Sequence, residues 1–194
     1  NNIRIEEGFL RLPKIGLVEM RMERQLPKGA VIKNVTVSKT KTNKYFASIQ
    51  FEYEKEVEQV QPKSYLGLDF AMSDFYVDSE GIKGNYPKFF RKSQEKLAKE
   101  QRKLSRMVKG SNNYNKQKIK VAKVYEKIAN QRKDFLHKTS RKIANSYDVV
   151  CVEDLNMKAM SQTFKFGKSV HDNGWGMFVQ MLRYKLEELG KYLI

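Results

Sequence analysis

The sequence predicts a mixed α/β fold that is preceded by a small module of antiparallel β-strands. Residues 1–61 contain five short, partly alternating apolar runs that Gly, Pro and Asn residues separate. Further on, two apolar runs at 65–70 and 149–155 carry an acidic residue near their ends, and two helical patterns lie between them. Strands joined by a long helical excursion are typical of a mixed sheet, whereas closely spaced alternating runs favour antiparallel neighbours.

The N-terminal module is expected to be a small antiparallel barrel or sandwich, because its strands are short and follow one another closely. The predicted strands are 3–5, 9–12, 17–22, 32–38 and 44–53. Its charge is mixed, so a structural module and a nucleic-acid-binding barrel both fit the pattern. The acidic stretch 54–59 and Pro62 predict a boundary between a domain over 1–61 and a second domain over 62–194.

Asp69 and Glu153 are the candidate functional carboxylates of the second domain, since each lies near the end of an apolar strand. A carboxylate at the end of an interior strand is costly unless it is paired, hydrogen-bonded or bound to a cation. A lone Asp in this position is commonly a cap at a strand–turn junction, but the repeat at Glu153 makes a metal site a competing interpretation. After Asp69, residues 73–78 and 82–84 predict two more strands of an antiparallel meander.

Residues 88–146 predict a hairpin of two amphipathic helices. Phe90, Leu97 and Leu104 recur every seven residues in the first helix, and the second has a seam at Val121, Tyr125, Ile128, Phe135 and Ile143. Residues 109–113 between them combine a Gly C-cap with N-cap candidates, so the helices are expected to fold back antiparallel. A third amphipathic helix is predicted to open at 173–176, with Trp175 as a core anchor, and to end at Gly190.

The net charge of +16 is concentrated on the predicted hairpin. Residues 88–142 contain 19 Lys and Arg but only 4 Asp and Glu, while the rest of the chain is nearly balanced. A basic run is often just a solvated helix face, but such a face normally carries acidic partners at i,i+4, so an external polyanion is favoured. The candidate nucleic-acid-binding residues are Lys99, Arg102, Lys103, Arg106, Lys109, Lys116, Lys118, Lys120, Lys123, Lys127, Arg132 and Lys133.

Three further features of the sequence concern its redox environment, its relation to membranes and its completeness. A single cysteine, Cys151, falls in an apolar strand and is expected to be a small core residue, which excludes an intrachain disulfide and fits a reducing cytoplasm. No apolar run is long enough to span a bilayer, so no membrane partner is expected beyond surface binding. The sequence begins with neither Met nor a signal-type segment, which suggests an internal fragment of a longer protein.

The two carboxylates predict a divalent-metal site if the fold brings them together. Oxygen ligands without a nearby His or Cys pattern favour Mg²⁺ or Mn²⁺ over zinc, and His137 and His171 lack such a pattern. Beside a strongly basic surface, such a site is the arrangement expected for phosphodiester cleavage by two metal ions. Kinases of the actin-like fold are an alternative, but they need a Gly-rich phosphate loop, and residues 70–73 do not form one.

Several motifs together resemble the TnpB/OrfB proteins of insertion sequences, which are RNA-guided DNA nucleases related to type V CRISPR effectors. Gly67-Leu68-Asp69 with Asp74-Phe75 resembles their first RuvC motif, and Val152-Glu153-Asp154-Leu155-Asn156 resembles the second. Residues 103–106, 110–111 and 127–138 are similar to the family's helical hairpin, and residues 174–185 to the segment that follows. The resemblance covers roughly residues 62–194, and residues 3–52 look like the end of the family's wedge β-barrel.

This resemblance implies an incomplete RNase H-like (RuvC) nuclease domain with Asp69 and Glu153 as catalytic metal ligands. The family's third catalytic Asp and its zinc finger would both follow Ile194, Asp154 would be a supporting acid, and Asp172 is a weaker candidate for the third ligand. The basic hairpin would contact the phosphate backbone of a guide RNA–DNA duplex or the displaced strand. A rival interpretation is a catalytically inactive relative that binds nucleic acid through the hairpin, and the sequence leaves the oligomeric state open.

Overall fold

The structure of the protein, a computed structural model, describes residues 3–22, 24–156, 159 and 174–194. Its contacts divide the chain into two compact units, Asn1–Glu56 and Val57–Ile194, whereas the sequence placed a boundary at 61/62. The strands of the first unit are β1 (Arg4–Glu6), β2 (Phe9–Leu12), β3 (Gly16–Glu19), β4 (Val31–Lys39) and β5 (Tyr45–Glu52).

The first unit consists of two antiparallel sheets. Strands β1, β2 and β3 form one sheet in that order, and β4 pairs with β5 in the other, with a register shift between Ile32 and Asn34. Side chains of both sheets line a cavity of about 750 Å³, and apolar residues such as Ile15 and Phe46 remain exposed. The antiparallel pairing matches the expectation, but the described strands do not close into a barrel.

Within the residues that the structure describes, the second unit is built around a four-stranded mixed sheet with three helices. Its elements are β6 (Tyr65–Ala71), β7 (Phe75–Asp78), α1 (Phe89–Ser105), α2 (Asn112–Ser146), β8 (Val149–Val152), α3 (Trp175–Glu187) and β9 (Tyr192–Leu193). The strand order is β7-β6-β8-β9, and β6 runs antiparallel to β7 but parallel to β8. The mixed α/β class predicted from the sequence is confirmed, although the expected strand at 82–84 is a single bridge between Val77 and Lys83.

The core of this unit lies between one face of the sheet and helices α2 and α3. Leu66 and Leu68 of β6 and Val150 of β8 are almost fully buried there, as the alternation of a strand requires. Phe75 opens β7 with a φ of 82° and is completely buried. Such a backbone conformation is unfavourable for a bulky residue. It is stabilised by edge-on packing of the ring against Phe135, Trp175 and Phe178, which fixes the turn that follows Asp69.

The predicted helical hairpin is present. The Ser111 side chain caps α2 by accepting a hydrogen bond from the Tyr114 amide at 3.1 Å. Leu97 of α1 packs with Val121, Val124 and Ile128 of α2. The expectation that Tyr125 lies in the seam is wrong, since its side chain is exposed and its hydroxyl hydrogen-bonds Gln101. The reason is that the buried stripe of α2 runs through Val124, because the helix faces α1 in its first half and the sheet in its second.

Helix α3 buries an apolar face, as its amphipathic sequence predicts, but Leu189 and Lys185 depart from this pattern. Trp175 is 2% exposed, which confirms it as a core anchor, whereas Leu189 lies beyond the helix and is exposed. Lys185 interrupts the apolar stripe and is buried, and its Nζ donates to the Ser140 hydroxyl at 2.6 Å and the His137 carbonyl at 2.9 Å. These bonds tie α3 to α2. None of the described helices combines the length and hydropathy needed to cross a membrane.

Two glycines of the second unit provide a matched test of this packing. A Cβ on Gly84 would lie 2.8 Å from the Tyr76 ring and 3.0 Å from the Asp74 carbonyl oxygen. We therefore expect Gly84→Ala to lower the free energy of unfolding by about 1–3 kcal/mol, as overpacking does. Gly176, inside α3, has no described atom within 4 Å of an added Cβ, so Gly176→Ala is expected to raise it by about 0.5–1 kcal/mol. Urea unfolding of both variants measures the difference, and equal effects would contradict the packing.

Candidate functional site

The parallel pairing of β6 with β8 brings the two candidate carboxylates to one edge of the sheet. The register pairs Gly67 with Cys151 and Leu68 with Val152. The next residues along the chain are Asp69, still within β6, and Glu153, the first residue after β8, so the two lie at equivalent positions beyond the last strand pair. Both side chains are exposed, and both line the same cavity. The sequence predicted that these residues meet only through the fold, and the sheet brings them together.

The cavity that contains both carboxylates, here called the acidic cavity, has a volume of about 410 Å³. Its lining residues are Gly67, Leu68, Asp69, Val77, Asp78, Ser79, Cys151, Val152 and Glu153. The expectation that Cys151 is a core residue is wrong, because its side chain is exposed. Val150 occupies the core face of β8, so the next residue must face the acidic cavity.

The hairpin turn after β7 closes one side of the acidic cavity. Gly67 and Ser79 are bonded reciprocally: the Gly67 amide donates to Ser79 Oγ at 3.2 Å, and the Ser79 amide donates to the Gly67 carbonyl at 2.9 Å. Asp78 Oδ1 accepts from the amides of Glu80 and Ile82, at 3.0 and 2.7 Å, and so holds the turn itself. Residues 79–81 lie between the predicted strands 73–78 and 82–84, and the local sequence does not indicate that they border the two carboxylates. Their position beside Asp69 follows from the antiparallel pairing of β7 with β6.

The acidic cavity offers a divalent cation an incomplete set of donors. Carboxylate oxygens are the ligands that Mg²⁺ and Mn²⁺ prefer, so Asp69 and Glu153 fit such an ion chemically. Within the residues that the structure describes, however, no group of three or more His, Cys, Asp or Glu side chains is placed to hold a metal. Asp154 is exposed on the segment after β8, and Asp172, the alternative candidate for a third ligand, lies outside the described residues.

Asp74, in the turn between β6 and β7, forms its contacts away from the acidic cavity. A hydrogen bond from the Ser73 hydroxyl at 2.5 Å holds the pKa of the Asp74 carboxyl below its usual value, and Lys83 at 3.5 Å adds to the effect. Because this carboxylate is committed to local contacts, it is not a further ligand for an ion between Asp69 and Glu153.

The beginning of the two acid-bearing strands is held by a polar cluster around Asp148. Its carboxylate accepts hydrogen bonds from the amides of Lys63 and Ser64 and pairs with Lys191 at 3.4 Å. The bond from the Lys63 amide is the main cause that lowers the pKa of Asp148, and the Ser64 side chain adds to it. Nothing local in the sequence indicates this role of Asp148, because the residues that it bonds lie 84 and 85 positions away.

The lowered pKa of Asp148 predicts a pH-dependent stability. A carboxylate whose pKa is depressed by folding stabilises the native state above its unfolded-state pKa, near 4, and this contribution is lost as the pH falls through the folded-state value. We therefore expect Asp148→Asn to reduce the free energy of unfolding at pH 7 more than at pH 3. Urea unfolding across that range measures it, and a constant difference between variant and wild type would contradict the assignment.

The basic surface of the hairpin is formed as predicted. Of the twelve candidate residues, eleven are exposed, while Arg132 is half-buried with its stem close to Gly174. Lys103 pairs with Glu100 at 3.2 Å, but Glu100 is also engaged by the buried amide of Gln117 at 2.6 Å. The Gln117 bond is the main cause that lowers the pKa of the Glu100 carboxyl. With 19 Lys and Arg against four Asp and Glu over residues 88–142, the hairpin keeps most of its positive charge.

Comparison with known proteins gives consistent matches. A family model, OrfB_IS605, described as "Probable transposase", matches residues 48–163. The chain is 34% identical over 195 residues to the "Putative RNA-guided DNA endonuclease InsQ" of Escherichia coli (strain K12), covering 93% of this chain and 48% of that protein. It is 33% identical over 181 residues to a "Putative RNA-guided DNA endonuclease" of Streptomyces pristinaespiralis, covering 91% and 44%. The chain thus spans about half the length of the curated relatives it matches.

Proposed function

Because the chain belongs to the OrfB_IS605 family, the TnpB/OrfB proteins that its motifs resemble, we propose that it forms part of an RNA-guided, divalent-metal-dependent DNA endonuclease. The observation that carries the proposal is the register of β6 and β8, in which Asp69 and Glu153 occupy equivalent positions at one cavity. The mixed sheet, the antiparallel β6–β7 pair and the helical crossover between β6 and β8 support an RNase H-like (RuvC) nuclease domain.

In this proposal Asp69 and Glu153 are the residues that hold Mg²⁺ or Mn²⁺. When bound, such ions supply an activated water and stabilise the leaving oxygen of a phosphodiester, which is the two-metal mechanism. Two carboxylates at neighbouring strand positions repel each other unless a cation lies between them, so the pair favours cation binding over a neutral ligand. Gly67 adds no side chain to the cavity beside Asp69, and the Ser79 bond keeps the adjacent turn in place, which leaves room for a phosphate group.

The basic hairpin is proposed to hold the nucleic acid on which the acidic cavity acts. Its exposed Lys and Arg side chains would contact phosphates of a guide RNA–target DNA duplex or of the displaced strand, by charge and shape rather than by base sequence. The partners of the protein are accordingly a guide RNA and a target DNA.

A second candidate function is nucleic-acid binding without cleavage. It is favoured by one observation, namely that no group of three or more acidic, His or Cys side chains among the described residues is placed to hold a metal ion. In this alternative the carboxylates are structural, and the hairpin carries the function.

Cleavage assays on the full-length natural protein with its co-purified RNA separate the two functions. We expect labelled target DNA to be cut with Mg²⁺ or Mn²⁺ and to remain intact with EDTA or after removal of the RNA. Binding of the same DNA should be retained when EDTA is present. Binding without cleavage under every metal condition would overturn the nuclease proposal and establish the alternative.

A further inference from the structure

We propose that Asp148 is a positioning residue that sets the register of β6 against β8, and thereby brings Asp69 and Glu153 to the same level of the sheet. The inference rests on the proposed function for its consequence in cleavage, whereas the register itself is a property of this chain. Asp148 lies directly before β8 and contacts the residues directly before β6.

The contacts between these two strand beginnings are reciprocal. Asp148 Oδ2 accepts hydrogen bonds from the amides of Lys63 and Ser64, at 3.1 and 3.2 Å. In return, the Asp148 amide lies 3.0 Å from Ser64 Oγ and 3.1 Å from the Ser64 carbonyl oxygen, which also accepts from the Val149 amide. This Asp148–Ser64 clamp engages one position before the first strand pair, Tyr65 with Val149.

The apolar pattern of the strands does not by itself specify this register. Four residue pairs join β6 and β8, and in β6 the buried Leu66 and Leu68 alternate with residues on the opposite face of the sheet. A slip by one residue would turn the buried side chains outward and is excluded by the core. A slip by two residues keeps every side chain on its face, yet it would move Glu153 by roughly 7 Å relative to Asp69. The clamp is the feature that distinguishes these two registers.

Lys191 connects the clamp to the rest of the unit. Its Nζ pairs with Asp148 Oδ1 at 3.4 Å and donates to the carbonyls of Ala144 and Asn145 at the end of α2, at 2.9 and 3.3 Å. The Tyr192 amide of β9 donates to the Asp148 carbonyl at 2.9 Å. The side chains of Asp148 and Lys191 are only 16% and 13% exposed, so water competes weakly for these bonds. The Asp148 carboxylate thus bonds the two residues that precede β6, and it pairs with the lysine that donates to the last carbonyls of α2.

Disulfide cross-linking measures the register directly. In a Cys151→Ser background, Asp69→Cys with Glu153→Cys reports the observed register, since neighbouring strand positions are within disulfide reach. Ala71→Cys with Glu153→Cys reports a slip by two residues. We expect mild oxidation to link the first pair and not the second. Asp148→Ala should reduce the first product several-fold and raise the second, whereas Asp148→Asn should retain the wild-type ratio because its amide oxygen still accepts from the two amides.

A merely structural role for Asp148 predicts a different result. Gln117→Ala removes a buried polar contact of the hairpin and serves as the control that lowers stability without touching the clamp. If Asp148→Ala lowers the melting temperature but leaves the cross-link ratio at the wild-type value, the inference is overturned. Should Asp148→Ala not fold, Ser64→Ala, which removes the hydroxyl that accepts from the Asp148 amide, must shift the ratio in the same direction, and an unchanged ratio again overturns the inference.

The effect of Asp148 substitutions on DNA cleavage is measured separately, in the full-length protein. With Asp148→Ala we expect the Mn²⁺ concentration for half-maximal cleavage to rise about 10- to 100-fold, as for other residues that orient metal ligands, while Asp148→Asn stays near wild type. If Asp69→Ala leaves cleavage intact, the proposed function fails, but the cross-link result still decides the register. If Asp69→Ala abolishes cleavage and Asp148→Ala changes neither the ratio nor the Mn²⁺ requirement, the positioning role alone fails.

Discussion

Replacing Asp69 with Asn is expected to abolish metal-dependent DNA cleavage by the full-length protein and to leave nucleic-acid binding largely unchanged. The substitution keeps the size of the side chain but removes the charge that would hold a cation in the acidic cavity. A bound metal contributes several kcal/mol to the stabilisation of a phosphodiester transition state, so the cleavage rate should fall at least about 1,000-fold. Glu153→Gln should have a similar effect, because Glu153 directly follows β8 and lines the same cavity as Asp69. Single-turnover cleavage with a binding assay on the same substrate measures both quantities.

Asp74→Asn is the matched control for this prediction. It removes a carboxylate five residues from Asp69 that the acidic cavity does not contain, and whose contacts are with Ser73 and Lys83. It should therefore cleave at a rate close to wild type. A loss as large as that of Asp69→Asn would show that overall negative charge, rather than the β6–β8 pair, is what matters. Full activity of Asp69→Asn would contradict the proposed metal site.

Neutralising one stripe of the basic hairpin is expected to weaken nucleic-acid binding strongly. Lys116, Lys120, Lys123 and Lys127 follow one another at helical spacing on α2, and all four are exposed. If each contacts a phosphate, replacing all four with Gln should lower the slope of log affinity against log salt by about 3 to 4 for a duplex. At roughly 0.15 M salt the affinity should fall about 100-fold by the same counterion effect. Titrations at several salt concentrations measure the slope.

The control for the hairpin is an equal change of charge in the first unit. Lys14, Lys28, Lys41 and Lys44 are also exposed, and replacing them with Gln removes the same net charge from the chain. If the hairpin is the contact surface, this control should lower the salt slope by much less. Equal losses in the two variants would show that binding depends on net charge alone, and that no specific surface holds the phosphates.

Local patterns in the sequence were sufficient for most of the elements, although not for the strand expected at 82–84. The alternating runs of the first unit, the apolar strands beside Asp69 and Glu153, and the helical hairpin lie where their periodicity predicts them. The Ser111 cap was predicted as well, because a polar residue after Gly110 is a local signal. The family assignment from motifs is confirmed by the matches to known relatives, because those motifs are contiguous in the chain.

Features that depend on two distant segments required the tertiary structure. The sequence identified Asp69 and Glu153 as candidates, but their equivalent positions follow from a parallel register that no local pattern encodes. The same holds for Asp148, whose partners at 63 and 64 belong to another strand. Cys151 and Tyr125 were predicted to be buried because apolar periodicity identifies a stripe but not its edges, and the neighbouring elements decide which side chains are covered.

What the sequence alone determined is therefore most of the elements, the position of the positive charge and the family. What only the tertiary structure decided is which side chains meet: the two carboxylates at the acidic cavity, the clamp that aligns their strands, and the buried Lys185 between α2 and α3. The physical reason is that secondary structure and charge depend on neighbours along the chain. Register and burial depend instead on contacts between residues far apart in sequence, whose free energies are settled only when the whole core forms.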